Sequence, residues 1–396
     1  MSRYHSYLNT AVKILETYKG DVPLAAFLKQ YFAANKKYGS KDRKQIAALC
    51  YNYFRLGFAV KNSSIEERIL LGTFLSEDES SVLMSELRKE WGEQMTLSFE
   101  KKTDLLEDRF SLANVFPFPE ELSTGIEFEK YCASFFIRPD LFLRIRPKAN
   151  KKVLQKMGEL KIDAKSDSYR MIGSDCIALP NSTKATDLFE IDKDVVVQDL
   201  NSQKVLDFFK QQKINPDPKV WDCCAASGGK SILLYDILDG KLQLTVSDKR
   251  ESIIANLHKR FTTAGIKLYH PFVSDLSKAG IPLAAKPHIN NSQVIICDVP
   301  CSGSGTWGRT PEQLYFFKKE KIEFFNNKQK EIVSNVIPFL EKGGSLVYIT
   351  CSVFKEENES VVNFLKEKFD LELIQMELLK GYDKKADSLF VAILKN

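Results

Sequence analysis

The sequence contains no apolar run long enough to cross a bilayer. Its first residues, MSRYHSYLNTAVKIL, also lack the apolar core that a secretory signal peptide requires. These two absences argue against a membrane-anchored or secreted protein. We therefore expect a cytoplasmic protein that does not bind a membrane.

Cysteine and histidine are both sparse. Eight cysteines in 396 residues are too few for a disulfide scaffold, and no two of them form a Cys-x-x-Cys pair. The four histidines are not close to the cysteines of the C-terminal half. Because a zinc site needs such ligands at short, regular spacings, the sequence predicts no metal site.

The chain is too long for one ordinary hydrophobic core, and its pattern changes twice. Helical periodicity, as in Ile46, Leu49, Tyr53 and Leu56, predicts an all-α domain over residues 1–112. After the proline-containing stretch ANVFPFPEEL, short segments such as LFLRIRPK and DCIALP predict a small α+β domain over residues 113–194. Residues 195–396 form the third predicted domain.

Positive charge is concentrated at the N-terminal end. The net charge of the whole chain is +5, but residues 1–60 alone carry ten Lys and Arg side chains against three Asp and Glu. Tyrosine and phenylalanine residues lie between these basic positions, as expected for a protein that binds a polyanion such as RNA. Charge alone fits a solvated helix face equally well, so both interpretations stay open.

From residue 195 onwards, predicted strands alternate with predicted helices, which indicates an α/β domain with a mostly parallel, doubly wound sheet. In such sheets ligands bind beyond the carboxyl ends of the strands. Five residues with reactive or hydrogen-bonding side chains stand at or near these ends: Asp222, Asp248, Asp275, Asp298 and Cys351.

The first turn of this domain, DCCAASGGKS, is rich in small residues. It is not a phosphate-binding P-loop, because Cys224 stands where that motif needs glycine, and no G-x-G-x-x-G pattern is present. Asp248, after the second strand, suits a ribose diol, and Asp275, after the third strand, suits an adenine amino group. Together these features predict a nucleoside cofactor without a pyrophosphate, which fits S-adenosyl-L-methionine. Each acid taken singly is more often a solvated loop residue or a cap, so the prediction depends on all four standing at successive strand ends.

Two thiols follow strands that are usually neighbours in a doubly wound sheet. Cys301 follows the fourth strand and Cys351 ends the fifth, so both should face one cleft. A thiolate that adds to C6 of cytosine makes C5 nucleophilic towards a methyl donor, and a second group must then help to release the adduct. The small residues from Ser302 to Gly305 leave room for a base that has left its stack.

These motifs occur in an order that resembles the Sun/RsmB-type RNA cytosine-C5 methyltransferases. The resemblance rests on VQDLNSQKV, DCCAASGGK, DVPCSGSGTWGRTPE and TCSVFKEENE, and NKKYGSKDRKQIAALCYNYFRLG resembles the NusB-like RNA-binding domain of the bacterial members. It implies a Rossmann-like class I methyltransferase domain after the NusB-like and α+β domains. It also implies that Cys351 is the nucleophile and Cys301 assists product release. The implied cofactor-binding residues are Cys224, Ala225, Ala226, Ser227, Gly228, Gly229, Lys230, Asp248, Asp275 and Asp298, the last lying between cofactor and target base.

Two positions depart from the pattern of this family. Ser227 replaces a proline in the glycine turn, which we expect to loosen the turn while keeping its glycines. Ile253 stands where the family commonly has an arginine after the ribose-binding acid, so that support is missing unless Arg250 replaces it. Both departures concern cofactor affinity more than the chemistry of the thiols.

The resemblance implies a monomeric enzyme that methylates small-subunit (16S) ribosomal RNA, and three alternatives remain. The substrate could be transfer RNA. The chain could be a non-catalytic RNA-binding protein of ribosome assembly, although its intact cysteines argue against this. A thiol redox enzyme is disfavoured because Cys301 and Cys351 lie outside a Cys-x-x-Cys motif and lack an evident basic neighbour.

Overall fold

A computed structural model describes residues 2–78, 81–159, 169–212, 216–278 and 280–396. It divides into two compact units. The first, which we call the helical unit, comprises residues 1–120, 126–138 and 306–319. The second, the sheet unit, comprises residues 121–125, 139–305 and 320–396. The domain boundaries at residues 112 and 194 stay predictions.

The helical unit is built from amphipathic helices whose apolar side chains face inward. In the third helix, Ile46, Leu49, Cys50 and Tyr53 recur at the spacing of one helix face and are buried. The helices of this unit are α1 (Arg3–Thr17), α2 (Leu24–Ala34), α3 (Ser40–Arg55), α4 (Ile65–Ser76), α5 (Val82–Leu87), α6 (Lys89–Gly92), α7 (Phe99–Asp104), α8 (Phe128–Ser134) and α15 (Pro311–Phe316). None of the helices in the described ranges is long and apolar enough to cross a membrane.

A four-stranded antiparallel sheet occupies the N-terminal part of the sheet unit, in the order β2-β3-β1-β4. The segments LFLRIRPK and DCIALP supply its two central strands, as the sequence predicts. Its elements are β1 (Leu141–Ile145), α9 (Asn150–Glu159), β2 (Arg170–Ile172), β3 (Cys176–Leu179), α10 (Ala185–Leu188) and β4 (Val195–Val197).

The larger sheet has seven strands in the order β10-β11-β9-β8-β5-β6-β7. All neighbouring strands from β9 to β7 pair in parallel, whereas β11 is antiparallel to both of its neighbours. The elements are α11 (Phe208–Gln211), β5 (Lys219–Asp222), α12 (Gly229–Ile237), β6 (Gln243–Asp248), α13 (Glu251–Ala264), β7 (Tyr269–Val273), α14 (Lys286–Ile289), β8 (Ser292–Asp298), α16 (Glu320–Val336), β9 (Leu340–Thr350), α17 (Glu359–Phe369), β10 (Glu372–Leu379) and β11 (Leu389–Lys395).

Alternation along the central strands buries apolar side chains on both faces of this sheet. In β8, Val294 and Ile296 enter one hydrophobic cluster, while Ile295 and Cys297 enter the cluster on the opposite face. The chain order reverses between β5 and β8, so the crevice at their carboxyl ends is the topological switch point. This architecture confirms the predicted α/β fold class.

Two elements near the C-terminus differ from the sequence prediction. The sequence pattern from Pro311 to Gly344 predicts one long helical stretch, but the structure divides it into α15 and α16, and β9 already begins at Leu340. Strand β10 was not predicted, because its side chains are mostly exposed and its sequence, ELIQMELL, reads equally well as a helix. Pairing with β11 decides its conformation.

Candidate functional site

A cavity of about 400 Å³ lies at the carboxyl ends of the central strands of the sheet unit. Its volume falls within the usual range for a small-molecule site. The lining residues are Cys223, Cys224, Ala226, Asp248, Lys249, Arg250, Ser274, Asp275, Leu276, Asp298, Val299, Pro300, Cys301, Lys328, Ile332 and Cys351. A larger cavity of about 760 Å³ in the same unit is lined by none of the predicted site residues.

Seven of the predicted residues therefore share one cavity: Cys224, Ala226, Asp248, Asp275, Asp298, Cys301 and Cys351. The other five lie in the turn and helix behind it: Ala225, Ser227, Gly228, Gly229 and Lys230. Of these five, Lys230 is tied to the cavity wall, because its ammonium donates a hydrogen bond to Asp298.

Two residues of the glycine turn between β5 and α12 have a left-handed backbone conformation. Gly228 has a φ of +83°, and a Cβ there would lie 2.5 Å from Phe261 Cε1. Ala226 also has a positive φ, 45°, which is uncommon for a residue with a side chain. The turn leads directly into α12, whose first backbone N–H groups have no partner within the helix.

Ser227 is held by an arginine that sequence reasoning did not identify. Arg260 donates from Nη1 to the Ser227 carbonyl (3.0 Å) and hydroxyl (2.8 Å), and its Nε and Nη2 donate to Asp192. The serine hydroxyl therefore supplies an attachment that proline could not provide. The expected loosening of the turn is offset in the structure by this contact.

A pair of arginines anchors α12, the helix that follows the turn. Arg144 and Arg146, from the LFLRIRPK segment, both form ion pairs with Asp236 in α12, with nitrogen–oxygen distances of 2.7 Å. All three side chains are nearly buried, so the two arginines stabilise the fold. Only the fold could reveal this, because Asp236 lies about 90 residues away in the sequence.

Two acids line the far side of the cavity. Asp248 accepts hydrogen bonds from the Arg250 backbone N–H (2.9 Å) and from Nε (3.0 Å) and Nη2 (3.2 Å) of the same guanidinium. Arg250 thus makes the contact for which Ile253 has no suitable side chain. Hydrogen bonds from Ser277 hold the pKa of Asp275 below its usual value, so this carboxylate is ionised at neutral pH.

The two thiols meet at the other end of the cavity. Cys301 Sγ and Cys351 Sγ lie 3.3 Å apart, and each side chain is partly exposed. The pairing of β8 with β9 brings them together, as expected for neighbouring parallel strands. The hydrogen bond with Cys351 and burial raise the pKa of Cys301 well above the usual value for a thiol.

Charged groups near the thiols are paired. Burial acts to lower the pKa of Lys230, but the Asp298 carboxylate and Cys351 outweigh it and raise that pKa. Lys230 is therefore a permanent cation close to Cys351. Asp222, at the end of β5, is fully buried, and burial raises its pKa to about 7. Across the described residues, no group of His, Cys, Asp and Glu side chains could hold a metal ion.

Comparison with known proteins relates the sheet unit to a family of methyltransferases. The family model described as "16S rRNA methyltransferase RsmB/F" matches residues 211–392. A probable ribosomal RNA small subunit methyltransferase B of Bacillus subtilis (strain 168) is 29% identical over 251 residues, which cover 62% of this chain and 53% of the relative. Its Synechocystis counterpart is 29% identical over 286 residues, 68% of this chain and 61% of the relative. The chain thus spans little more than half the length of these relatives.

One further relative and one solved structure are also similar to this chain. The 26S rRNA (cytosine-C(5))-methyltransferase nsun-1 of Caenorhabditis elegans is 30% identical over 176 residues, 42% of this chain and 25% of that protein. The solved structure of the protein PH0851 superposes with a TM-score of 0.68 at 18% identity, and covers 98% of this chain and 97% of its own. At this identity the superposition establishes a shared fold.

Proposed function

We propose that this chain is a methyltransferase of the RsmB/F type, which methylates C5 of a cytosine in small-subunit ribosomal RNA with S-adenosyl-L-methionine as the donor. One observation carries the proposal. The thiols of Cys301 and Cys351 lie 3.3 Å apart in a cavity that also reaches the glycine turn. This arrangement places a nucleophile and an assisting thiol beside a nucleoside-binding site.

The residues of the cavity fit the methyl donor. Gly228 approaches Phe261 and Leu257 so closely that a side chain has no space there, and this packs the turn against α13. Asp248 and Asp275 present carboxylates that can accept hydrogen bonds from a ribose diol and an adenine amino group. Cys224 to Lys230 would hold the methionine end. When bound there, S-adenosyl-L-methionine supplies an electrophilic methyl group on a sulfonium.

The two cysteines would divide the chemistry between them. The Cys351 thiolate forms a bond to C6 of the cytosine, and the electrons of the 5,6 double bond become available at C5. After methylation, a general base takes the proton from C5, the 5,6 double bond re-forms, and the bond between C6 and sulfur breaks to return the Cys351 thiolate. Cys301 assists this release. The Lys230 ammonium lies close to Cys351, and a hydrogen bond to Asp298 keeps the lysine in place.

RNA is the partner that we propose for the helical unit. Five basic side chains near the start of α3 are exposed and suit contacts with phosphates: Lys36, Lys37, Lys41, Arg43 and Lys44. The resemblance of this segment to a NusB-like domain favours ribosomal over transfer RNA. We also propose that the protein works as a cytoplasmic monomer.

Trapping of the covalent intermediate tests the division of roles. The experiment incubates Cys301→Ala and Cys351→Ala with S-adenosyl-L-methionine and unmodified small-subunit RNA, and then resolves protein–RNA adducts by denaturing electrophoresis. We expect Cys301→Ala to accumulate an adduct, because release is impaired, and Cys351→Ala to form none. The opposite pattern would exchange the two roles.

Two controls separate the alternatives. Binding of S-adenosyl-L-methionine by the wild-type protein, measured by calorimetry, would be absent from a non-catalytic assembly protein. Mapping of 5-methylcytosine in ribosomal and transfer RNA, from cells with and without the protein, identifies the substrate. A site that disappears from transfer RNA alone would overturn the proposed ribosomal substrate.

A further inference from the structure

The segment that follows Cys351 contains a buried carboxylate to which the proposed mechanism gives no role. In TCSVFKEENE, Glu357 is completely inaccessible to solvent. A buried acid is costly unless hydrogen-bond donors surround it. The donors around Glu357 come from three different places in the sheet unit, and two of them adjoin the catalytic cysteines.

The carboxylate joins the two turns that carry the thiols. The backbone N–H of Ser302, the residue after Cys301, donates to Oε2 at 2.8 Å. The hydroxyl of Ser352, the residue after Cys351, donates to Oε1 at 2.8 Å. Each cysteine is therefore one residue away from a hydrogen bond to the same carboxylate.

A third hydrogen-bond donor to Glu357 comes from α16. Gln329 Nε2, on α16, donates to Glu357 Oε2 at 3.1 Å and to the Pro300 carbonyl, just before Cys301, at 3.1 Å. Around them, the hydroxyls of Ser302, Ser304 and Ser352 lie 3.1–3.2 Å from one another. The backbone on both sides of Cys301 is thus fixed relative to Glu357.

We propose that Glu357 is the positioning residue of the thiol pair: by bonding the turn after Cys301 to the turn after Cys351, it sets the separation of the two sulfurs. This inference rests on the proposed function of the cysteines. Glu357 does not contact the reacting atoms and acts through the two turns.

The charge of Glu357 also distinguishes the two thiols. Its proximity is one of the causes, after Cys351 and burial, that raise the pKa of Cys301. Burial raises the pKa of Glu357 itself, and the hydrogen bonds from Ser302, Ser352 and Gln329 oppose this rise because they favour the carboxylate. The Glu357 carboxylate on the Cys301 side and the Lys230 ammonium near Cys351 therefore place opposite charges beside the two thiols.

The test compares Glu357→Gln with a matched control, Glu359→Gln. Glu359 belongs to the same motif, but it accepts hydrogen bonds from the Ser123 hydroxyl and the Thr124 N–H, both at 2.9 Å, and bonds neither cysteine turn. The readout is the rate at which diamide joins Cys301 to Cys351, followed by mass spectrometry of the linked peptide. This reaction needs neither RNA nor methyl donor, so it tests the positioning separately from the proposed activity.

We expect Glu357→Gln to cross-link at least about tenfold more slowly, because an amide nitrogen cannot accept the donated bonds. Methyl transfer should fall by a similar factor, while the dissociation constant of S-adenosyl-L-methionine should stay within about twofold of wild type. Glu359→Gln should match wild type in all three measurements. Equal cross-linking rates for Glu357→Gln and wild type would refute the proposal, and so would an equal loss in both variants.

A milder change guards against a failure to fold. Ser352→Ala removes one donor to Glu357 and leaves the carboxylate in place. We expect Ser352→Ala to cross-link at a rate between those of wild type and Glu357→Gln. The melting temperatures of Ser352→Ala and Glu357→Gln show whether each variant is folded. A wild-type rate in a folded Ser352→Ala protein would contradict the role of this connection.

Discussion

Replacement of Gly228 by alanine tests whether the glycine turn depends on its backbone conformation. The φ of +83° lies in the left-handed region, where a residue with a side chain costs about 1–2 kcal/mol. The new Cβ would also lie 2.5 Å from Phe261 Cε1 and 3.2 Å from Leu257 Cδ1. Phe261 cannot easily move aside, because it is completely buried and packs against Tyr269.

The two costs can be added to estimate the effect. Overpacking of this kind typically costs about 1–3 kcal/mol, so Gly228→Ala should lower the free energy of unfolding by about 2–5 kcal/mol. Gly229→Ala is the matched control, because a Cβ at Gly229 meets nothing within 4 Å and the residue begins α12. This control should leave the stability unchanged or raise it by up to about 1 kcal/mol.

Urea unfolding followed by tryptophan fluorescence measures both variants, and buried Trp221 on β5 reports on the sheet unit. If Gly228→Ala were as stable as wild type, the turn would have to relax without strain, and the argument for glycine at this position would fail. A loss shared equally by both variants would show that the effect arises in the helix.

Two further predictions concern groups around the same turn. Burial raises the pKa of Asp222 to about 7, so the folded chain keeps a proton there that the unfolded chain releases above about pH 4. Wild type should therefore lose up to about 4 kcal/mol of stability between about pH 4 and 7, and Asp222→Asn should abolish that loss in urea titrations at several pH values. Arg260→Ala removes the contact with Ser227 and should weaken S-adenosyl-L-methionine binding about tenfold by calorimetry. Unchanged affinity would show that Arg260 does not support the turn.

The sequence predicted the central strands well because they alternate on a buried two-sided sheet. A short apolar segment such as SQVIICD, bounded by polar residues, is typical of a strand whose side chains are buried on both faces of a sheet. The same pattern placed Asp248, Asp275, Asp298 and Cys351 at or just beyond strand ends. Strand β10 escaped prediction because an exposed edge strand has no such alternation.

The supporting groups of the site could not be predicted for a different reason. Glu357 stands in the TCSVFKEENE motif, yet the hydrogen bonds that surround it come from Ser302, 55 residues away, and from Gln329. Arg260 likewise holds a turn 33 residues earlier in the chain. Nothing in the local sequence marks such partners, because each contact exists only after the strands have taken their order.

The sequence by itself determined the elements and the reactive side chains: an α/β domain, a glycine turn, acids at strand ends and two cysteines in separate motifs. Only the tertiary structure decided that the sulfurs of Cys301 and Cys351 lie 3.3 Å apart and that one buried carboxylate connects their turns. The physical reason is that side-chain chemistry and periodicity are local properties. The distance between two strand ends is set by how the whole sheet pairs and packs.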